Sequence, residues 1–138
     1  MINTITQYAA VAGIALAMVG GMAAPGFSDE AGEFEYMSAC ASCHGIDAQG
    51  TGPVSEYMSI VVPPLTGLSE ANGGVFPMQD IIAMIDGRTD VRGHGSGMPV
   101  WGAVYNDPMA AEVSGQSPGF IVRGRILSLA YYLESIQK

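Results

Sequence analysis

Both cysteines of the chain fall within one five-residue run, Cys40-Ala41-Ser42-Cys43-His44, and nothing else in the sequence restricts its folding so tightly. A disulfide between Cys40 and Cys43 would close too short a loop to add much stability. No further cysteine exists to staple distant segments. The pair therefore points to chemistry, and stability has to come from a packed core or from something buried beside it.

The first charged side chain is Asp29. Before it, Ala9 to Val19 is an apolar run of alanine, valine, isoleucine, leucine, glycine and methionine, and Gly26-Phe27-Ser28 has the small–x–small form that a signal peptidase cuts. Residues 1–28 thus read as a secretory leader, although no Lys or Arg marks its start. A retained membrane anchor is the competing reading. The apolar stretch from Tyr8 to Phe27 approaches the roughly 20 residues that span a bilayer, yet Pro25 interrupts it and no cations flank it. The folded domain is expected over residues 29–138, in the periplasm. A core built from so few side chains is marginal, and a large buried cofactor would supply apolar surface that they lack.

All 13 acidic and all 5 basic side chains lie beyond residue 28, for a net charge of −8. Such a surface disfavours nucleic acid and anionic lipid. It suits a protein partner with a basic docking patch, though acidity for solubility alone explains it equally well. Contact with a membrane is expected only if the leader is retained.

A first helix is expected from about Asp29 to Ala41, with Asp29 as cap and Glu30 and Glu33 in its first turn, where the helix dipole favours negative charge. Gly32, Tyr36, Cys40 and Cys43 recur at helical spacing and share one face. From Gly45 to Gly74, glycines and prolines dictate loop, with a short helix around Ser55–Val61. Pro77–Asp86 reads as a helix closed by Gly87, with Met78, Ile81, Ile82 and Ile85 as its apolar stripe. A glycine-rich loop, Gly87–Gly97, leads to Met98-Pro99-Val100-Trp101. The last helix starts at Ser117-Pro118 and runs to about Gln137, burying Val122, Ile126, Leu129, Leu133 and Ile136. Gly124 inside it has no evident sequence rationale. No alternating pattern signals a strand, so the expected fold is small, loop-rich and all-α.

Cys40-Ala41-Ser42-Cys43-His44 is the C-x-x-C-H pattern of covalent haem attachment. Each thiol can add to one haem vinyl group, and two intervening residues let both sulfurs reach one porphyrin edge. His44, directly after Cys43, is then held as proximal iron ligand. An exported leader strengthens this reading, because haem is attached to bacterial c-type cytochromes outside the cytoplasm. Two alternatives compete. A thioredoxin-like dithiol also uses C-x-x-C, but requires a βαβ framework that the sequence lacks. A zinc site of Cys40, Cys43, His44 and His94 has the right donors, but Cys43 and His44 are awkwardly adjacent. For a sixth iron ligand, Met98 is the best candidate, since its glycine-rich loop can carry the sulfur over the haem. Met58 and Met109 are weaker rivals, and Met78 and Met84 suit core packing.

With these features the chain resembles the class I cytochrome c family over nearly all of residues 29–138. Cys40-Ala41-Ser42-Cys43-His44-Gly45 is similar to its haem-binding segment, and Gly32 and Tyr36 match the glycine and aromatic of its first helix. Leu129, Tyr132 and Leu133 match the last helix that crosses it. The resemblance implies that Gly32 allows close helix approach and that Tyr36 packs on Tyr132. Pro63-Pro64-Leu65-Thr66-Gly67 is similar to the family's Pro-x-Leu-x-Gly stretch, which implies that the Pro63 carbonyl accepts the second ring N–H of His44. Ile85-Asp86-Gly87-Arg88, Gly93-His94-Gly95 and Met98-Pro99-Val100-Trp101-Gly102 resemble a bacterial subgroup of small monohaem cytochromes. By that likeness Met98 is the distal ligand and Arg88, Arg92 and Trp101 are candidates to pair with the haem propionates. Solvation of the arginines and core packing of Trp101 remain equal alternatives, and His94 reads as a loop residue.

The expectation is a periplasmic electron carrier, not an enzyme, with one haem c and His44/Met98 ligation, which closes iron to substrates and raises its potential. Its partners would be larger redox proteins. Two other classes stay open: a haem-bearing subunit of a periplasmic dehydrogenase or sulfur-oxidising enzyme, and an open-site haem enzyme or gas sensor.

Overall fold

The computed structural model of the protein describes residues 27–87 and 97–138, with side chains from Glu30 onward. Among the described residues seven α-helices follow one another: α1 Phe27–Ala39, α2 Ala41–His44, α3 Leu68–Ala71, α4 Met78–Asp86, α5 Trp101–Val104, α6 Pro108–Ser114 and α7 Pro118–Ser135. A single 3-10 turn, Ser55–Tyr57, lies between α2 and α3. No strand occurs among the described residues, so the chain is all-α as expected. Of the expected leader only Phe27 and Ser28 fall within the described residues, in the first turn of α1. No helix among the described residues is long and apolar enough to cross a membrane.

Packing centres on the crossing of α1 and α7. Gly32 makes it possible: a Cβ there would collide with the Ser128 carbonyl oxygen and stand 2.6 Å from Tyr132 Cβ. Only a bare backbone allows the helices this close. One turn on, Tyr36 is fully buried and its ring meets that of Tyr132 at 5.3 Å between centroids, tilted by 41°. Val122, Ile126, Leu129, Ala130 and Leu133 form the buried stripe of α7, and Ile136 at its end is half-buried. Ile85 of α4 joins the same core, with Ile81 and Ile82 packed beside it.

Several boundaries differ from the sequence expectation, for local reasons. α1 ends at Ala39, and Cys40 forms a bend at φ −111°, ψ −36° before α2 resumes the helical course. The bend keeps its hydrogen bonds, Cys40 N–H to Tyr36 O at 2.8 Å and His44 N–H to Cys40 O at 2.9 Å. Residues 55–61 hold only the 3-10 turn, and Met58 is already extended at ψ 140° on the way to Pro63-Pro64. Proline forces such extension on the residue before it, and helix cannot continue through the pair. α4 begins one residue later than expected, and Gly87 ends it in the left-handed conformation at φ 80°.

Helices α5 and α6 had no counterpart in the hydrophobic periodicity. Yet α6 carries full boundary signals: the Asp107 carboxylate accepts from Met109 and Ala110 N–H at 2.9 and 3.2 Å, Pro108 follows, and Gly115 closes the helix at φ 68°. Ser117 starts α7 with its backbone carbonyl, which accepts from Phe120 and Ile121, and its side chain makes no cap bond. α7 stops at Ser135, short of Gln137, because Gln137 is committed elsewhere. Its amide nitrogen donates to Leu65 O at 2.8 Å and Leu133 O at 2.6 Å, and its amide oxygen accepts from Ser69 N–H at 2.9 Å. The C-terminus thereby clamps the segment that follows Pro63-Pro64.

Candidate cofactor site

The C-x-x-C-H turn sits where α1 leaves the helix crossing. Tyr36 ties it there by donating its hydroxyl proton to Gly45 O at 2.5 Å, and burial raises the Tyr36 pKa well above its ordinary value, so the hydroxyl stays a donor. Two glycines then let a loop lie against the turn. Gly52 donates its N–H to Cys43 O at 3.1 Å, and a Cβ there would lie 2.7 Å from Ala41 O. Gly50, at φ +79°, donates to His44 O at 2.7 Å, and a Cβ there would strike the Val62 carbonyl oxygen. Leu65 N–H closes the assembly on Ala48 O at 2.8 Å. Turn, loop and the Val62–Leu65 strap thus form one hydrogen-bonded unit.

That unit orients His44. The ring is buried, and its Nδ1–H donates to the Pro63 carbonyl oxygen at 3.1 Å. Burial lowers the proton affinity of the imidazole, with the Pro63 bond opposing it in part. The favoured form is neutral with the proton on Nδ1, which puts the ligating lone pair on Nε2. A carbonyl held against the second nitrogen fixes ring orientation and raises ligand basicity.

Cys40 is buried, Cys43 half-buried, and the two are not bridged to each other. Burial first, then the neighbouring Glu35 and Cys43 charges, push the Cys40 thiol up to about 12. A reactive dithiol depends on a lowered thiol pKa, so Cys40 is poorly suited to the redox-exchange alternative.

Two cavities open beside this turn, of about 40 and 240 Å3, and both are bordered by Cys40, His44, Pro63 and Met98. The smaller is completed by Cys43, Met58, Ile60 and Trp101, the larger by Leu65, Leu68, Met84 and Leu129 among others. Met98 is half-buried and is the methionine that borders both; Met58 borders only the smaller and Met84 only the larger. Met109 is exposed on α6. Gly97, before Met98, lets that segment pack close: a Cβ would lie 2.7 Å from the Met58 terminal methyl. Trp101 stacks on Tyr105 with ring centroids 5.5 Å apart, which agrees with core packing. A groove of about 340 Å3 lies between α4 and α7, lined by Gln79, Asp86 and Arg123 but by neither cysteine.

Arg88, Arg92 and His94 lie outside the described residues. Among the described residues no three His, Cys, Asp or Glu side chains gather as a site for a bare metal ion. Compared with family models, curated proteins and solved structures, the chain matches none.

The residues present fit a haem c. Two unbridged thiols border the smaller apolar cavity and Cys40 the larger too, an imidazole with its Nδ1 proton engaged borders both, and the Met98 thioether completes an N,S donor set of the kind that suits haem iron.

One buried group has no precedent in the sequence reading. Glu35 of α1 accepts two hydrogen bonds from Arg125 of α7, from Nε and Nη2 at 2.7 Å each. Ninety residues separate the two, so no spacing rule pairs them.

Proposed function

We propose that the protein is a periplasmic c-type cytochrome, with a cytochrome c fold, that passes single electrons between larger redox proteins. The observation that carries this reading is that unbridged Cys40 and Cys43, oriented His44 and Met98 all border the smaller apolar cavity, and Cys40, His44 and Met98 border the larger one as well. Cys40 and Cys43 would hold haem c through thioether bonds, and His44 Nε2 and the Met98 sulfur would bind its iron. When bound, that group supplies reversible one-electron chemistry at iron.

The chain's own part is to hold and to insulate. Pro63 fixes the His44 ring, Gly50 and Gly52 let backbone pack against it, and the α1–α7 crossing anchors the whole turn. Iron held by both His44 and Met98 would be closed to substrates, which favours a carrier over an enzyme. Leu65, Ile85, Leu129 and Leu133 shut water out on one side.

The surface supports a transient partner. Tyr57 and Val61 are 85% and 92% exposed, and they flank the cavity residues Met58 and Ile60. Glu56 and Asp47 are exposed nearby in sequence, and no Lys or Arg occurs between Asp29 and Gly87. An apolar centre with acidic surroundings suits a basic docking face.

The test is covalent retention. Exported together with a haem-ligation system, the chain is expected to keep its colour through acid–acetone extraction. The Cys40→Ser/Cys43→Ser double variant is expected to lose it. Colour that is extracted from the unaltered chain would remove covalent attachment, and the reading with it.

A further inference from the structure

The Glu35–Arg125 pair takes no part in holding the turn, the strap or either cavity; Glu35 is buried while the Arg125 side chain is 37% exposed, and the buried carboxylate asks for a role. Glu35 is 8% exposed, and both its carboxylate oxygens are engaged by the guanidinium. The Tyr105 ring covers that guanidinium, with Arg125 Cζ 3.9 Å from the ring centroid. The Tyr105 hydroxyl, in a residue 3% exposed, is close enough to the carboxylate to feel its charge but makes no hydrogen bond in satisfactory geometry. A half-buried ion pair is a weak source of stability, because desolvation and solvent screening offset its attraction, whereas an unpaired buried carboxylate is severe. Position is the informative property here. Glu35 lies about a turn and a half before Cys40, Tyr105 shares the buried core with Cys40, and Leu129, one turn after Arg125, lines the larger cavity together with Cys40.

We infer that Arg125 is a positioning residue that neutralises Glu35 at the Cys40 edge of the site, and so holds up the reduction potential of the group attached there. This rests on the cytochrome reading. The physics is a matter of sign. Reduction adds negative charge to the site. A bare carboxylate beside Cys40 would oppose that charge, strongly in a poorly polarisable interior. The bidentate guanidinium cancels it, and the Tyr105 ring fixes the guanidinium in place.

The experiment is a redox titration of the exported full chain and of three variants, Arg125→Met, Glu35→Gln and the double variant. Arg125→Met is expected to shift the midpoint potential downward and Glu35→Gln upward, with the double variant returning close to the unaltered value. A purely structural pair predicts lost thermal stability without shifts of opposite sign. Single variants that move the potential in the same direction, or not at all, would overturn the inference. Should Arg125→Met fail to fold, the comparison of Glu35→Gln with the double variant bears the same test, since removing the Arg125 charge must still lower the potential. If the unaltered chain shows no c-type spectrum, the functional reading fails and this inference with it. A normal spectrum with unmoved potentials sinks the inference alone.

Discussion

Cys40 and His44 show how burial divides labour between neighbours in one turn. Burial keeps the imidazole neutral and the thiol protonated; on the proposed reading the first would ligate iron and the second would be captured covalently. The sign for Cys40 follows directly: a raised pKa means less thiolate at any pH below about 12. In folded chain made without a haem-ligation system, Cys40 alkylation by iodoacetamide at pH 8 is expected to be at least about a hundredfold slower than in denaturant, where the thiol returns to about 8.5. The rate should climb about tenfold per pH unit up to pH 11. Mass-mapped labelling checks it, and equal rates in both states would contradict the burial. At this scale the sequence was informative where chemistry is local. The C-x-x-C-H run, Met98 and the Pro63 strap are short patterns visible in the sequence, and the structure brings them to one cavity, with the expected Pro63 carbonyl against His44. The Glu35–Arg125–Tyr105 cluster was not legible, because three elements far apart in the chain assemble it and none carries a distinctive spacing.

Two glycines test the helices in opposite directions. Gly32 sits in the α1–α7 crossing with no room for a methyl group, so Gly32→Ala is expected to destabilise the fold by about 1–3 kcal/mol through overpacking. Gly124 lies exposed on α7 with nothing within 4 Å of an added Cβ. Gly124→Ala is therefore expected to stabilise by up to about 1 kcal/mol through helix propensity alone. Denaturant midpoints of the two variants should move oppositely, and a loss at Gly124 would mean that its face meets something. The long periodic helices α4 and α7 were readable from their apolar stripes. α5 and α6 were not, because they are short and largely exposed: Met109 and Val113 of α6 point outward, so no stripe advertises the helix. Its Asp-Pro start and glycine stop were nonetheless in plain view, which makes capping chemistry the better guide for short helices.

Over the whole molecule, small size and acidity carry the functional expectations. With an acidic face around the site, electron exchange with a basic redox protein is expected to slow steadily as ionic strength rises, because steering charges are screened. Stopped-flow rates between low and physiological salt check this, and rates that stay flat or rise with salt would contradict an acidic docking face. All-α architecture was legible from the lack of alternating pattern. How the chain wraps its apolar space was not, since that depends on clamps such as Gln137 to Leu65 O, which join segments 72 residues apart. The central claim is that this space is built for a covalently held haem with Met98 on its iron. The measurement that tests it most directly is the visible spectrum, reduced and oxidised, of the chain exported with a haem-ligation system, beside its Met98→Ala variant. A sharp c-type α band, with a far-red band in the oxidised form that Met98→Ala abolishes, is the predicted result. A featureless spectrum from folded, exported protein would contradict the account.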